Sequence, residues 1–236
     1  MAEEGVRRTL VVVAHPDDAE FGCAGTVAGW TRQGHEVFYL VCTRGQKGSS
    51  DPLMTSERLA GIREQEQRAA ARVLGVQEVA FLDYGDGEVE NSLRLRGDIA
   101  RAIRLYQPDA VITQDPMTLF VGDEFINHPD HRAVGLATID AIYPTARDRL
   151  QFPDHLREGL APHRVREIYM FGTEQANHWV DIGATLDLKI AALRQHESQV
   201  GAWDGIAERI RERARLAGES QGLTYAEAFR RIIMRR

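Results

Sequence analysis

Short apolar, β-branched runs alternate along the chain with longer stretches in which apolar residues recur every three or four positions. Thr9 to Val13 (TLVVV) is apolar on both faces, which predicts a strand covered from both sides. Glu36 to Cys42, Glu78 to Leu82, Asp109 to Thr113 and Glu167 to Phe171 read the same way, and a short run near Trp179 to Ile182 adds another. Helical spacing fills the gaps, at about Ala19 to Gln33, Ser56 to Leu74, Leu93 to Tyr106 and His131 to Tyr143. Within Ser56 to Leu74 the apolar positions are Leu59, Ile62, Ala69, Val73 and Leu74, and Gly75 supplies the stop. The last third predicts helices at about Leu186 to His196, Ile206 to Leu216 and Tyr225 to Ile233.

This alternation predicts an α/β fold: a doubly wound, Rossmann-like, mostly parallel sheet with helices on both faces. No repeat or Gly/Ser linker divides the chain, so residues 1–236 are expected to form one domain, with C-terminal helices from about residue 184. Three connectors, Thr43 to Thr55, Gln114 to Asn127 and Pro144 to Arg164, are long enough to expect function or mobility in them.

Composition narrows the function. The 236 residues can bury most of their apolar surface without a disulfide or a structural metal. Lys and Arg number 29 against 35 Asp and Glu, a net charge of −6, which disfavours a nucleic-acid partner. No stretch nears the roughly 18 apolar residues of a membrane span. The opening MAEEGVRRTL lacks an apolar signal core, so no membrane partner and a cytoplasmic location are expected. Cys23 and Cys42 are too few for a disulfide framework and are expected to pack as small hydrophobes. A Gly-x-Ser-x-Gly elbow is absent, which argues against a serine hydrolase.

The chemistry gathers at two places. The first strand runs directly into Ala14-His15-Pro16-Asp17-Asp18. In a doubly wound sheet, ligands bind outside the carboxyl ends of the strands. A dinucleotide enzyme would carry G-x-G-x-x-G there; this chain carries an imidazole and two carboxylates, which favour a cation over a phosphate. Gly22, Gly25 and Gly29 have the wrong spacing for that fingerprint and are expected to be thin positions for helix–sheet packing. Beyond the fourth strand lies Asn127-His128-Pro129-Asp130-His131-Arg132. A strand order of the 3-2-1-4-5 type would make the first and fourth strands neighbours and bring the two loops together. Two imidazoles and a carboxylate with an open position form a catalytic zinc site, and a further carboxylate and imidazole could handle protons. Taken singly, each His-Pro-Asp also suits an ordinary helix start.

The pair of motifs resembles the PIG-L/LmbE-like family of zinc-dependent deacetylases. Further likeness lies in Arg63 and Glu66 of a helix ending in Leu74-Gly75, in Asp86-Gly87 after the third strand, and in Lys189 to Gln199 (KIAALRQHESQ); together it covers about residues 8 to 200. The resemblance implies His15, Asp18 and His131 as metal ligands, with Zn²⁺ as the cofactor and Fe²⁺ as the alternative. It makes Asp17 the general base. It makes His128 a protonated group that stabilises the oxyanion or donates to the leaving amine, with Asp130 tuning it. Arg63 is a candidate substrate-binding residue, or else a helix-surface ion pair with Glu64 or Glu66. Asp86 is a candidate acceptor for sugar hydroxyls, or else a turn residue. His196 is expected at the rim of the site or on a helix surface. Asp123 to Asn127, just before His128, holds no tyrosine that could serve as an alternative acid.

The implied activity is hydrolysis of an N-acyl group, chiefly N-acetyl, on an amino sugar or related conjugate. The expected partner is that small molecule, and assembly with further copies of the chain stays open. An amidase of a thiol-sugar conjugate or another N-acyl compound is the alternative on the same scaffold. A metal- or sugar-binding module is the non-enzymatic one.

Overall fold

The computed structural model describes residues 7–123 and 125–235; Glu124, Arg236 and the first six residues of the opening lie outside it. In chain order the strands are β1 (Arg8–Val13), β2 (Glu36–Thr43), β3 (Glu78–Tyr84), β4 (Ala110–Gln114), β5 (Phe120–Val121), β6 (Phe125–Ile126), β7 (Glu167–Phe171), β8 (His178–Asp181) and β9 (Ala226–Ile233). The helices are α1 (Asp18–Gly22), α2 (Ala24–Arg32), α3 (Ser56–Leu74), α4 (Leu93–Tyr106), α5 (Pro129–Asp140), α6 (Pro153–Arg157), α7 (Leu186–Leu193), α8 (Glu197–Val200) and α9 (Ile206–Glu219). After α5 the chain kinks at Tyr143, whose φ −142° and ψ 126° are extended, just before Pro144.

Among the described residues the main sheet has seven strands in the order β3-β2-β1-β4-β7-β9-β8. The first five are parallel, and β9 and β8 are antiparallel additions. β1 and β4 are therefore neighbours, as the two-loop expectation requires. The sheet is apolar on both faces because both are covered. Leu10 and Val12 point into a core shared with α4 and α5, while Val11 and Val13 point into one shared with α1, α2 and α3. Each such side chain contributes about 1.5–3 kcal/mol on burial. A third cluster lies under α7, α8 and α9.

The structure corrects several expectations. Tyr225 to Ile233 was expected as a helix, and Ala226–Ile233 is a strand paired on both sides, with β7 and β8. Its helix-forming composition yields to that pairing, since tertiary context routinely overrides propensity. The expected helix Ala19 to Gln33 is broken at Cys23 into α1 and α2. A Cβ at Gly22 would collide with the Phe171 ring, and one at Gly25 would lie 2.7 Å from Ile182, so these two are thin contact positions. Gly29 faces open space and is not. Cys23 and Cys42 are free and buried in the core.

One buried charge and one buried ion pair organise the connections. Arg104 of α4 is 1 % exposed and donates to five carbonyls: Ala146 (3.1 Å), Phe152 (3.3 Å), Thr145, Asp148 and Gln151 (each 3.0 Å). The planar guanidinium thus sets the start of the long connector before β7, a task the single ammonium of lysine cannot match. Arg104→Met is expected to cost roughly 3 kcal/mol or more and to open residues 145–152 to protease. Urea unfolding and limited proteolysis check this, and a wild-type cleavage pattern would contradict it. On the opposite face, Lys189 of α7 and Glu227 of β9 form a buried pair at 2.6 Å. No helix among the described residues is long and apolar enough to cross a membrane.

Candidate active site and metal centre

At the carboxyl end of β1 the chain turns tightly into α1. The Asp18 carboxylate accepts the His15 backbone N–H at 2.7 Å, closing the turn and fixing both side chains. At the carboxyl end of β4, Gln114 donates to the same Asp18 oxygen at 2.8 Å. The second motif starts α5. His128 is its N-cap, accepting the Asp130 N–H at Nδ1 (3.2 Å), and Pro129 occupies the first turn, where its missing N–H costs nothing.

These two turns bring His15, Asp18 and His131 together. His15 Nδ1 lies 3.3 Å from His131 Nε2, His131 Nε2 lies 3.1 Å from Asp18 Oδ1, and His15 Nδ1 lies 3.5 Å from Asp18 Oδ2. A tetrahedral ion with ligands at about 2.0–2.1 Å sets neighbouring donors about 3.3 Å apart, which the two imidazole nitrogens match, while Asp18 turns Oδ1 to His131 and Oδ2 to His15. The outer nitrogens fit as well. His15 Nε2 faces Asp86 Oδ1 (3.1 Å) and Asp130 Oδ2 (3.2 Å), and His131 Nδ1 faces Asn127 Oδ1 (3.0 Å). Each acceptor holds the ring proton on the far side, so the lone pairs of His15 Nδ1 and His131 Nε2 meet at the centre.

Two other donor groups are close enough to share an ion: His15 with His128 and His131, and His15 with Asp86 and Asp130. The second is already committed, because Asp130 accepts N–H bonds from Gly87 (2.7 Å) and Val89 (3.2 Å) and Asp86 accepts one from Lys47 (2.9 Å). In the first, His128 Nδ1 is taken by the helix cap, and an all-imidazole set leaves the Asp18 charge unneutralised.

The electrostatics favour a cation. Burial acts to lower the His15 pKa, but hydrogen bonds to Asp130, Asp18 and Asp86 prevail and raise it to about 11. Burial likewise opposes charge on Asp18, yet His131 holds its carboxyl well below the usual range. The His15 hydrogen bond pulls Asp86 down to about 2. Asp17 behaves differently. Burial is its largest influence and raises it to about 7, against the lowering effect of Arg63. That is the range of a general base at neutral pH.

Asp17 sits at φ +90°, ψ −23°, in the left-handed region. For a residue other than glycine that conformation costs about 1–3 kcal/mol and persists only where the surroundings impose it. Its N–H donates to Gln67 Oε1 (3.0 Å). Arg63 donates to Asp17 Oδ2 (3.2 Å), to the Pro16 carbonyl (2.6 Å) and to the Gly45 carbonyl (3.0 Å).

The candidate residues therefore divide. His15, Asp17, Asp18, Asp86, Asp130 and His131 converge. Asp130 was expected to tune His128, and its charge does act to raise the His128 pKa, but its carboxylate is hydrogen-bonded to His15 and to the Gly87 N–H. His128 was expected to stay protonated; burial, followed by the charge of His15, lowers its pKa instead. Arg63 is buried at the base of the site and is not a surface ion pair. Asp86 lies in the Gly85–Glu88 turn, as one of its two readings had it, but buried, with its carboxylate against the His15 imidazole and the Lys47 N–H rather than open as an acceptor. His196 is fully buried, not at a rim. Sequence reasoning missed Gln114 and Asn127, although each lies where a signal existed: the last residue of β4, and four positions before His131.

A cavity of about 460 Å³ opens beside Asp18 and His131, walled by Phe21, Val121 and Phe171 and reaching Asp115, Glu174 and Arg213. Such a mostly apolar cleft edged by a few polar groups suits a sugar-sized ligand.

Known proteins are similar to this chain in sequence and in fold. The family described as GlcNAc-PI de-N-acetylase (PIG-L) matches residues 10–142. The diacetylchitobiose deacetylase of Thermococcus kodakarensis is 33 % identical over 227 residues, covering 95 % of this chain and 83 % of that protein. A 1D-myo-inositol 2-acetamido-2-deoxy-alpha-D-glucopyranoside deacetylase of Mycobacterium sp. (strain JLS) is 25 % identical, covering 85 % and 76 %. Among solved structures, the N,N'-diacetylchitobiose deacetylase of Pyrococcus horikoshii superposes with a TM-score of 0.88 at 33 % identity, covering 96 % of this chain and 84 % of that one.

Proposed function

The chain belongs to the PIG-L family, and from that premise we propose that it is a metal-dependent N-deacetylase of an N-acetylglucosamine-type amino sugar. The observation that carries the reading is the convergence of His15, Asp18 and His131 at 3.1–3.5 Å beside a carboxyl, Asp17, poised near neutrality. The two imidazoles and one carboxylate suit Zn²⁺ and also Fe²⁺. The bound cation would supply Lewis acidity, polarising the acetamide carbonyl and making water more acidic.

The residues of the chain do the rest. Asp17 accepts the proton of the water that attacks the carbonyl carbon. His128, with Nδ1 accepting from the backbone, is the neutral tautomer that carries its proton on Nε2, and this N–H donates to the developing oxyanion. As the C–N bond breaks, Asp17 returns its proton to the departing amine, leaving acetate and a free amino sugar. Arg63 holds the Asp17 carboxyl in place, and Asp86 and Asp130 hold the His15 ring.

Released amine from N,N'-diacetylchitobiose and from N-acetylglucosaminyl conjugates is the test, and no turnover of any N-acetyl amino sugar by metal-loaded protein would overturn the reading. The pH profile gives a second check. Asp17 must be deprotonated to act as base, so kcat rises with pH through its pKa. Without a metal that value is about 7. A neighbouring cation favours the carboxylate, which places the acid limb at or below pH 7. An acid limb above pH 8 would contradict the assignment.

A further inference from the structure

Beneath Asp17 lies a buried polar chain that the proposed reaction does not use. Gln67 of α3 donates from Nε2 to both oxygens of Glu20, at 3.0 and 3.1 Å. Glu20, on α1, faces His196 Nε2 at 3.2 Å from its Oε2. All three side chains are fully buried. They come from three distant parts of the sequence; Gln67 Oε1 accepts the Asp17 N–H, and the charge of His196 also acts on the Asp17 carboxyl.

The order of contacts gives the chain a direction. A side-chain amide can turn either face toward Asp17. Because Glu20 is an acceptor on both oxygens, it takes the NH₂ group and leaves only the carbonyl for Asp17. His196 supplies the second donor that a buried carboxylate needs. The Asp17 peptide in turn sits in a left-handed conformation, which its surroundings must impose.

We propose that Gln67, oriented by Glu20 and His196, latches the Asp17 backbone in its strained conformation and so positions the catalytic carboxyl. This rests on the reading of Asp17 as the base. Gln67, Glu20 and His196 act as positioning residues: none lies within hydrogen-bonding distance of His15, Asp18 or His131.

Gln67→Leu keeps the bulk and removes both contacts. It is expected to lower kcat by about 10–100-fold, with KM and bound metal per chain within about twofold of wild type. Amide exchange of Asp17, followed by NMR, should quicken by about tenfold or more. In an Asp17→Asn background the same substitution should cost less than about twofold, because its effect runs through that carboxyl. Unchanged kcat and exchange in Gln67→Leu would overturn the proposal, as would an equal loss in both backgrounds. Full activity in Asp17→Asn alone would instead sink the base assignment, and the exchange rate then decides whether the latch exists. Should Gln67→Leu fail to fold, His196→Gln, which keeps a donor for Glu20, is expected to hold near-wild-type kcat where His196→Leu loses it. Equal activity of those two would overturn the proposal.

Discussion

Asp17→Asn is expected to lower kcat by about 10³-fold while the protein still binds one divalent cation per chain. General-base catalysis contributes 10²–10⁴-fold, and an amide of the same shape cannot take the proton. Binding should persist because Asp17 is outside the His15, Asp18 and His131 cluster and its carboxyl pairs with Arg63. The backbone contact to Gln67 needs only the Asp17 N–H, so the local conformation should survive as well. KM should change little, since the carboxyl acts on water. Single-turnover and steady-state rates, with metal analysis of the same preparation, check this. Wild-type kcat in the metal-loaded variant would falsify the assignment.

The largest stability effect is expected at Lys189. Its ammonium lies 2.6 Å from Glu227 and 2.9 Å from the Phe21 carbonyl, and both charged side chains are about 5 % exposed. Glu227 also accepts the Gly25 N–H (2.9 Å), the Thr26 N–H (2.8 Å) and the Thr26 hydroxyl (2.6 Å), so it closes the start of α2. One carboxylate thereby ties β9 to α2 and, through Lys189, to α7. Lys189→Met would leave that carboxylate buried without its partner, which costs about 3–5 kcal/mol. Urea unfolding should show a lower midpoint with an unchanged slope. A loss below about 1 kcal/mol would mean that the pair is not the tie described.

What the sequence reveals and hides here follows from the range of the interactions. β1, β2, β3, β4 and β7 are legible because a strand covered on both faces is an apolar run, whatever lies beside it. Ser56–Leu74 and Leu93–Tyr106 are legible to the residue because their caps, Thr55 and Ser92, are local. β9 is not: Ala226 to Ile233 has helix-forming residues, and only its neighbours β7 and β8 make it a strand. The proximity of the two His-Pro-Asp turns was legible from strand order, since each follows a strand that borders the other. The partners of the imidazoles were less so. Asp130 lies two positions from His128 in sequence but bonds His15, and no spacing rule reports a contact across 115 positions. His196 and Gln67 were hidden for the same reason. Each is polar and therefore reads as surface, and only the buried Glu20 between them accounts for their place.

The central claim is that His15, Asp18 and His131 hold one divalent ion. Equilibrium dialysis of chelator-stripped protein against Zn²⁺ tests it most directly. The account predicts one tightly held ion per chain in wild type, in Asp17→Asn and in His128→Ala, and loss of that ion in His15→Ala, Asp18→Ala and His131→Ala. Undiminished Zn²⁺ uptake by the three ligand variants, or none by the wild-type chain, would contradict it.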